Sequence, residues 1–226
     1  MATILLVACS FQPPKKEMNK AKIIYVYDAI CGWCFGFSPT MAKLKEHYQD
    51  KMDFEVISGG LRIGRNVGSI NETGAYVKTA YKVVEQTCGV KFGDAFVNGT
   101  LKKGTMVLNS LPPAIALCII KEKYPEKAFE FAGWLHHMIY VDGIEPENYE
   151  AYGDYAAKLG YNKDEFNKKM KDSTYMNKAY KEFEYARQLG ASSFPTVLLE
   201  KDGKIEILFS GFTTFDSAKK LIDSSL

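Results

Sequence analysis

The chain has 226 residues, and no apolar run in it is long enough to cross a membrane. Its longest clean runs, Ile4–Cys9 and Ala114–Ile120, fall far short of the ~20 residues a spanning helix needs. It has little charge imbalance: 29 Lys and Arg stand against 27 Asp and Glu, a net charge of +2. No nucleic-acid partner is therefore expected. It has few cysteines, five at wide and uneven spacing (Cys9, Cys31, Cys34, Cys88, Cys118), which excludes a disulfide scaffold. Beyond Cys31 and Cys34, the reserves for a zinc site are Cys88, Cys118, His136 and His137, without CxxC or HxxxH spacing. The Gly59–Gly64 stretch lacks the Gly-Lys-Ser/Thr ending of a phosphate loop and reads as a turn. No metal or organic cofactor is expected. Repeats and low-complexity tracts are missing too, and 46% hydrophobic with 25% charged residues describes an ordinary folded soluble protein.

What is present is Cys31-Gly32-Trp33-Cys34, placed between a strand-like run, Lys22–Asp28, and a helix-like run up to Asp50. A thiol at the first turn of a helix faces unpaired backbone N–H groups and the positive end of the helix dipole, which favour the thiolate. A second cysteine three residues on shares its helical face, so the two can close a disulfide with little backbone movement. The pair reads as a thiol–disulfide exchange site, with Cys31 and Cys34 as the reacting groups and Gly32 and Trp33 at the substrate surface.

The rest of the pattern predicts a fold. Pro39 predicts a kink or a late start in the first helix. Met52–Ser58 predicts a second strand, ended by Gly59-Gly60, completing a β-α-β unit. Residues 61–189 read as almost wholly helical, with proline at Pro112-Pro113, Pro125 and Pro146 opening helices. Asn162-Lys163-Asp164-Glu165 has capping-box form, and Gly190 ends the last helix. His136-His137 lies in an apolar helix, so at least one imidazole is expected to pack inside. Cys118 is expected as a buried small side chain and Cys88 as structural, with a regulatory thiol as its weaker alternative. Thr196–Glu200 and Ile205–Phe209 flank Lys201-Asp202-Gly203-Lys204, a strong hairpin signal. The ends of the chain thus look like halves of one sheet: residues 22–60 and 190–226 form one α/β domain and 61–189 an insertion.

Phe194-Pro195-Thr196, just before the third strand, gives the order strand, CxxC helix, strand, proline, hairpin, helix. That is the order of the thioredoxin fold. The chain resembles the DsbA-like family of thioredoxin-fold proteins, in which a helical domain interrupts the thioredoxin core, and most of all its FrnE-like branch of predicted protein-disulfide isomerases. The carrying residues are Tyr27 to Pro39, Ser58-Gly59-Gly60-Leu61-Arg62, Asn109-Ser110-Leu111-Pro112 and Gly190 to Thr196. The resemblance implies that Cys31 is the nucleophile, that Cys34 resolves, and that Pro195 is cis and faces the pair. It implies that Phe194, Pro195 and Thr196 hold an extended substrate. Thiol- or disulfide-containing proteins are the implied substrates, and a redox partner, glutathione among the candidates, recharges the pair. The strong oxidants of the family carry Pro-His between the cysteines. Gly32-Trp33 brings no charge, so a more reducing or more isomerase-like potential is expected. Two other classes are weighed. Glutathione-dependent transferases and isomerases share the architecture but typically hold serine where Cys31 stands. A non-catalytic chaperone would use the insertion as its contact surface.

Residues 1–21 read as a lipoprotein signal and tether. Leu6-Val7-Ala8-Cys9 resembles a lipobox, which makes Cys9 the candidate lipidation site and the cell envelope or periplasm the expected location. The alternative is a frayed N-terminus on a cytoplasmic protein, since no basic segment precedes the apolar stretch.

Overall fold

The computed structural model describes residues 20–73 and 75–226, with side chains left out at 73–78. The expectations at Cys9 and over the N-terminal signal lie outside the described residues. Strand β1 (Lys22–Tyr27) leads to helix α1 (Gly32–Tyr48) and strand β2 (Asp53–Ser58), which pairs parallel to β1. After the helical middle, which holds the short strands β3 (Gly68–Ser69) and β4 (Val107–Leu108), come β5 (Thr196–Lys201) and β6 (Lys204–Ser210), then the closing helix α8 (Phe215–Ser225). The sheet order is β2-β1-β5-β6, with β5 antiparallel to β1 and to β6. The two ends of the chain do build one sheet, as the pattern predicted.

Alternation along β1 sorts its side chains. Ile23, Tyr25 and Tyr27 join the core shared with Phe37, Met41 and Leu44 of α1 and Ile222 of α8. Ile24 and Val26 face the other way, into a second cluster with Ile57, Leu198 and Ala186. Both faces are covered, so the strand is apolar throughout. The hairpin turns on Asp202 and Gly203, with φ of 52° and 75°, the left-handed pair that a two-residue connection requires.

Helix α1 begins at Gly32 and runs through Pro39. The helix therefore does not start late, although Pro39 lacks the N–H that would have bonded the Phe35 carbonyl. The middle holds α2 (Ala75–Cys88), a π-helical turn (Ala95–Leu101), α3 (Leu111–Lys123), α4 (Ala128–Tyr140), α5 (Tyr149–Ala157), α6 (Lys163–Met170) and α7 (Ser173–Gln188). Pro112 to Ile120 of α3 are all buried, as befits a helix apolar on every side. Asn162 caps α6, accepting from the Glu165 N–H at 2.9 Å. The middle is not purely helical, because β3 (Gly68–Ser69) pairs with β4 (Val107–Leu108). Two-residue strands are too short to show a period, which is why the pattern missed them. Helix α7 also departs from a clean division at residue 189: Ala186 lies fully buried against the sheet's second face, beside Ile24 and Ile57.

Candidate active site

The site is built where β1 ends. The Cys31 N–H donates to the Asp28 carbonyl at 3.0 Å, closing a tight turn over Ala29 and Ile30. The Asp28 carboxylate holds that turn by accepting from the Ile30 N–H at 3.1 Å and from the Leu61 N–H at 2.8 Å. One buried carboxylate thereby joins the segment before Cys31 to the start of the insertion. Burial raises the pKa of Asp28, opposed by those same N–H donors. Beyond Leu61, Arg62 and Ser110 are knitted together: the Arg62 N–H donates to Ser110 Oγ and the Ser110 N–H to the Arg62 carbonyl, each at 2.9 Å. Two sequence segments 48 residues apart are thus one structural element.

Cys31 is the N-cap of α1, and its sulfur accepts from the Cys34 N–H at 3.4 Å. An unpaired helix-terminal donor is thus aimed at the first sulfur. Both cysteines are free thiols. Cys31 keeps 7% of its surface and Cys34 none. Burial, followed by the proximity of Cys31, pushes the Cys34 thiol far up. The Cys31 thiol lies 3.5 Å from the Phe194 carbonyl, brought there from the far end of the chain. The Phe194–Pro195 peptide bond is cis.

Of the residues expected to bind substrate, Gly32 and Trp33 are half-buried at the head of α1, and Phe194 is half-buried beside Cys31. Thr196 is different. Its side chain is fully buried, donating to the Ser193 carbonyl at 2.7 Å and bonded to Ser210 Oγ at 2.8 Å. It braces the Ser193–Pro195 loop from beneath, and its hydroxyl has no path to a substrate.

His136 is the site residue whose partners the sequence left unnamed. It is 1% exposed, with Nε2 3.1 Å from the Asp28 carbonyl and Nδ1 2.8 Å from Ser38 Oγ. A carbonyl only accepts, so this network assigns the proton to Nε2, and the single Ser38 hydroxyl hydrogen lies between Nδ1 and the Cys34 carbonyl, 2.9 Å away. Burial lowers its pKa to about 4, so the ring is neutral. Tyr27 meets it edge-on at 5.3 Å. His137 is half-exposed and pairs with Asp142 at 3.2 Å. Tyr25 and Tyr27, whose hydroxyls are fully buried, line a cavity of about 450 Å³ between α1 and α4 together with Ser38 and His136. The histidine pair His136-His137 in an apolar helix is the signal that sequence gives for this network.

Gly59, read as a turn, is also part of the site. A Cβ there would stand 2.1 Å from the Phe194 ring, so only glycine lets that ring lie down beside Cys31. Cys88 packs on α1 in the same manner, its sulfur 2.6 Å from where a Gly36 Cβ would be. Burial raises the Cys88 thiol to about 11. Cys118 is buried, as expected.

On the insertion side of Cys31 opens a second cavity, of about 410 Å³, bordered by Cys31, Trp33 and Phe194 and faced by Tyr81, Phe92 and Tyr140. Among the described residues no cluster of His, Cys, Asp and Glu could hold a metal ion, and no helix is long and apolar enough to cross a membrane.

The sequence pattern of the DSBA-like thioredoxin domain matches residues 22–223. The chain belongs to that family. A Nitrosomonas europaea protein with a provisional disulfide-isomerase assignment is similar in structure, with a TM-score of 0.81 at 19% identity over 91% of this chain and 97% of that one. The cytosolic disulfide reductase DsbM from Pseudomonas aeruginosa gives 0.75 at 22% identity, over 90% and 98%. A 2-hydroxychromene-2-carboxylate isomerase gives 0.60 at 11% identity, over 90% and 93%. At these identities the likeness is one of fold. No curated protein matches the chain by sequence.

Proposed function

We propose that this DSBA-like protein is a thiol–disulfide oxidoreductase working through Cys31 and Cys34. The observation that carries the reading is the Cys31 sulfur at the N-terminus of α1, with the Cys34 N–H at 3.4 Å and the Phe194 carbonyl at 3.5 Å. In the reducing direction the Cys31 thiolate attacks one sulfur of a substrate disulfide, and the other sulfur leaves as a thiolate and takes a proton. Cys34 then gives up its proton, attacks Cys31, closes the intramolecular disulfide and releases the second substrate thiol. The oxidising direction is the reverse. The first sulfur carries the exchange with substrate because it alone keeps exposed surface, while Cys34, sealed and held as a thiol, waits for a mixed disulfide.

The substrates we propose are proteins, held as an extended segment against the Phe194 main chain. Membership in the family supports this, as does the place of Phe194 beside the reacting sulfur. Residence in the cell envelope rests on Leu6-Val7-Ala8-Cys9 alone, and globomycin-sensitive processing tests it. Insulin reduction and reactivation of scrambled ribonuclease test the activity. Wild type is expected to be active and Cys31→Ser inactive, with Cys34→Ser accumulating mixed disulfides. A wild type that neither exchanges with dithiols nor yields trapped partners in Cys34→Ser ends the proposal.

A further inference from the structure

The cavity beside Cys31 is larger than one sulfur requires. Its volume of about 410 Å³ lies in the range of pockets that enclose small molecules. Its walls are aromatic and mutually braced. Phe92 packs against Phe35 at 4.9 Å and Tyr140 at 5.2 Å, and Phe96 against Tyr140 at 5.1 Å. Rings locked in this way form a preorganised apolar wall. Set against them, among the described residues that line the space, is one cation. Arg62 lines the cavity, is half-buried, and has no ion-pair partner among the described residues. Its backbone is pinned to Ser110 by hydrogen bonds in both directions. No aspartate or glutamate is among the described residues that line this space.

That balance of groups selects a ligand. We propose that the cavity seats the small thiol that recharges the cysteine pair, and that this thiol is apolar with a single carboxylate, not a zwitterion such as glutathione. The inference rests on the exchange reading above and names its second substrate. Glutathione carries an ammonium and two carboxylates. Seated here, its ammonium would lose water and gain no anionic partner, a cost that aromatic contacts do not repay. An aryl or alkyl thiol with one carboxylate leaves nothing unpaired: its body meets the rings, its carboxylate meets the Arg62 guanidinium, and its sulfur lies at Cys31.

The chemistry balances without another reagent. The oxidised pair accepts attack by RS⁻ at Cys31, so the Cys31–Cys34 bond breaks and Cys34 leaves as a thiolate and takes a proton. A second RS⁻ attacks the Cys31-bound sulfur of R, giving RSSR and the Cys31 thiolate. Two thiols are oxidised and one protein disulfide is reduced.

The test uses the full chain with its pair oxidised, and follows the appearance of thiols by maleimide mass shift. The probes are 2-benzyl-3-mercaptopropanoate, its uncharged amide and glutathione, compared at equal thiolate concentration. The benzyl acid is expected to saturate and to act about tenfold faster than either of the others, the value of one well-formed charge-assisted contact. In Arg62→Gln the acid-to-amide ratio falls to near one. Glutathione matching the benzyl acid, or an unchanged ratio in Arg62→Gln, overturns the proposal while leaving the exchange reading intact. A disulfide that no thiol reduces overturns both.

Discussion

His136 Nε2 stands 3.1 Å from the carbonyl of Asp28, the same carbonyl that receives the Cys31 N–H. One acceptor thus joins the insertion, the end of β1 and the head of α1.

The first prediction concerns acid stability. His136 holds its proton poorly in the fold, with a pKa lowered from 6.5 to about 4 by burial. Below pH 6.5 the unfolded chain therefore binds the proton first, and stability falls as pH drops. The contribution is complete above 6.5 and is lost by pH 4, a total of about 3 kcal/mol. Asp28 acts in the opposite sense. Its raised pKa favours proton uptake by the folded state, so acid relieves a cost there. Urea unfolding of wild type and His136→Gln between pH 7 and 4 checks this: the variant is less stable at pH 7 and has the shallower slope. Equal slopes would show that His136 is not held neutral.

Gly59→Ala is expected to act at a distance from the sulfurs. The new methyl would enter the space of the Phe194 ring. A collision of this kind costs about 1–3 kcal/mol and shifts whichever neighbour can yield. Phe194 yields, its carbonyl leaves Cys31, and insulin reduction slows by more than the loss in stability explains. Unchanged kinetics in a destabilised variant would place Phe194 outside the reaction.

Thr196→Val keeps the shape of a buried side chain and deletes its hydroxyl. The Ser193 carbonyl and Ser210 hydroxyl lose their partner. The expected loss is about 1–3 kcal/mol in urea unfolding, with a raised KM for protein substrates as the loop loosens. The reduction potential, set at the sulfurs, stays close to wild type. A large change in potential with KM unaltered would contradict a bracing role.

The fourth prediction is the potential itself. The residues between the cysteines, Gly32 and Trp33, bring no charge to the thiolate. Equilibration with glutathione is expected to give a value at or below about −180 mV, where isomerases lie, and not the roughly −120 mV of the strongest oxidants.

The sequence by itself determined the elements of the four-stranded sheet, the redox-pair position and their order, but not the short strands β3 and β4. The β-branched and aromatic run in Lys22–Tyr27, the Asp202-Gly203 turn, the Asn162 cap and the spacing of Cys31 and Cys34 are local signals, because strand propensity, turn geometry and helix phase are set within a few residues. Only the tertiary structure decided what meets at the sulfurs. The Phe194 carbonyl comes from 163 residues away and His136 Nε2 reaches Asp28 across 108. Arg62 shares a cavity with Phe92 and Tyr140. Such meetings depend on how helices pack on the sheet, and packing depends on volume and shape over the whole core. The same reason turned Thr196 inward and laid α7 on the second face of the sheet.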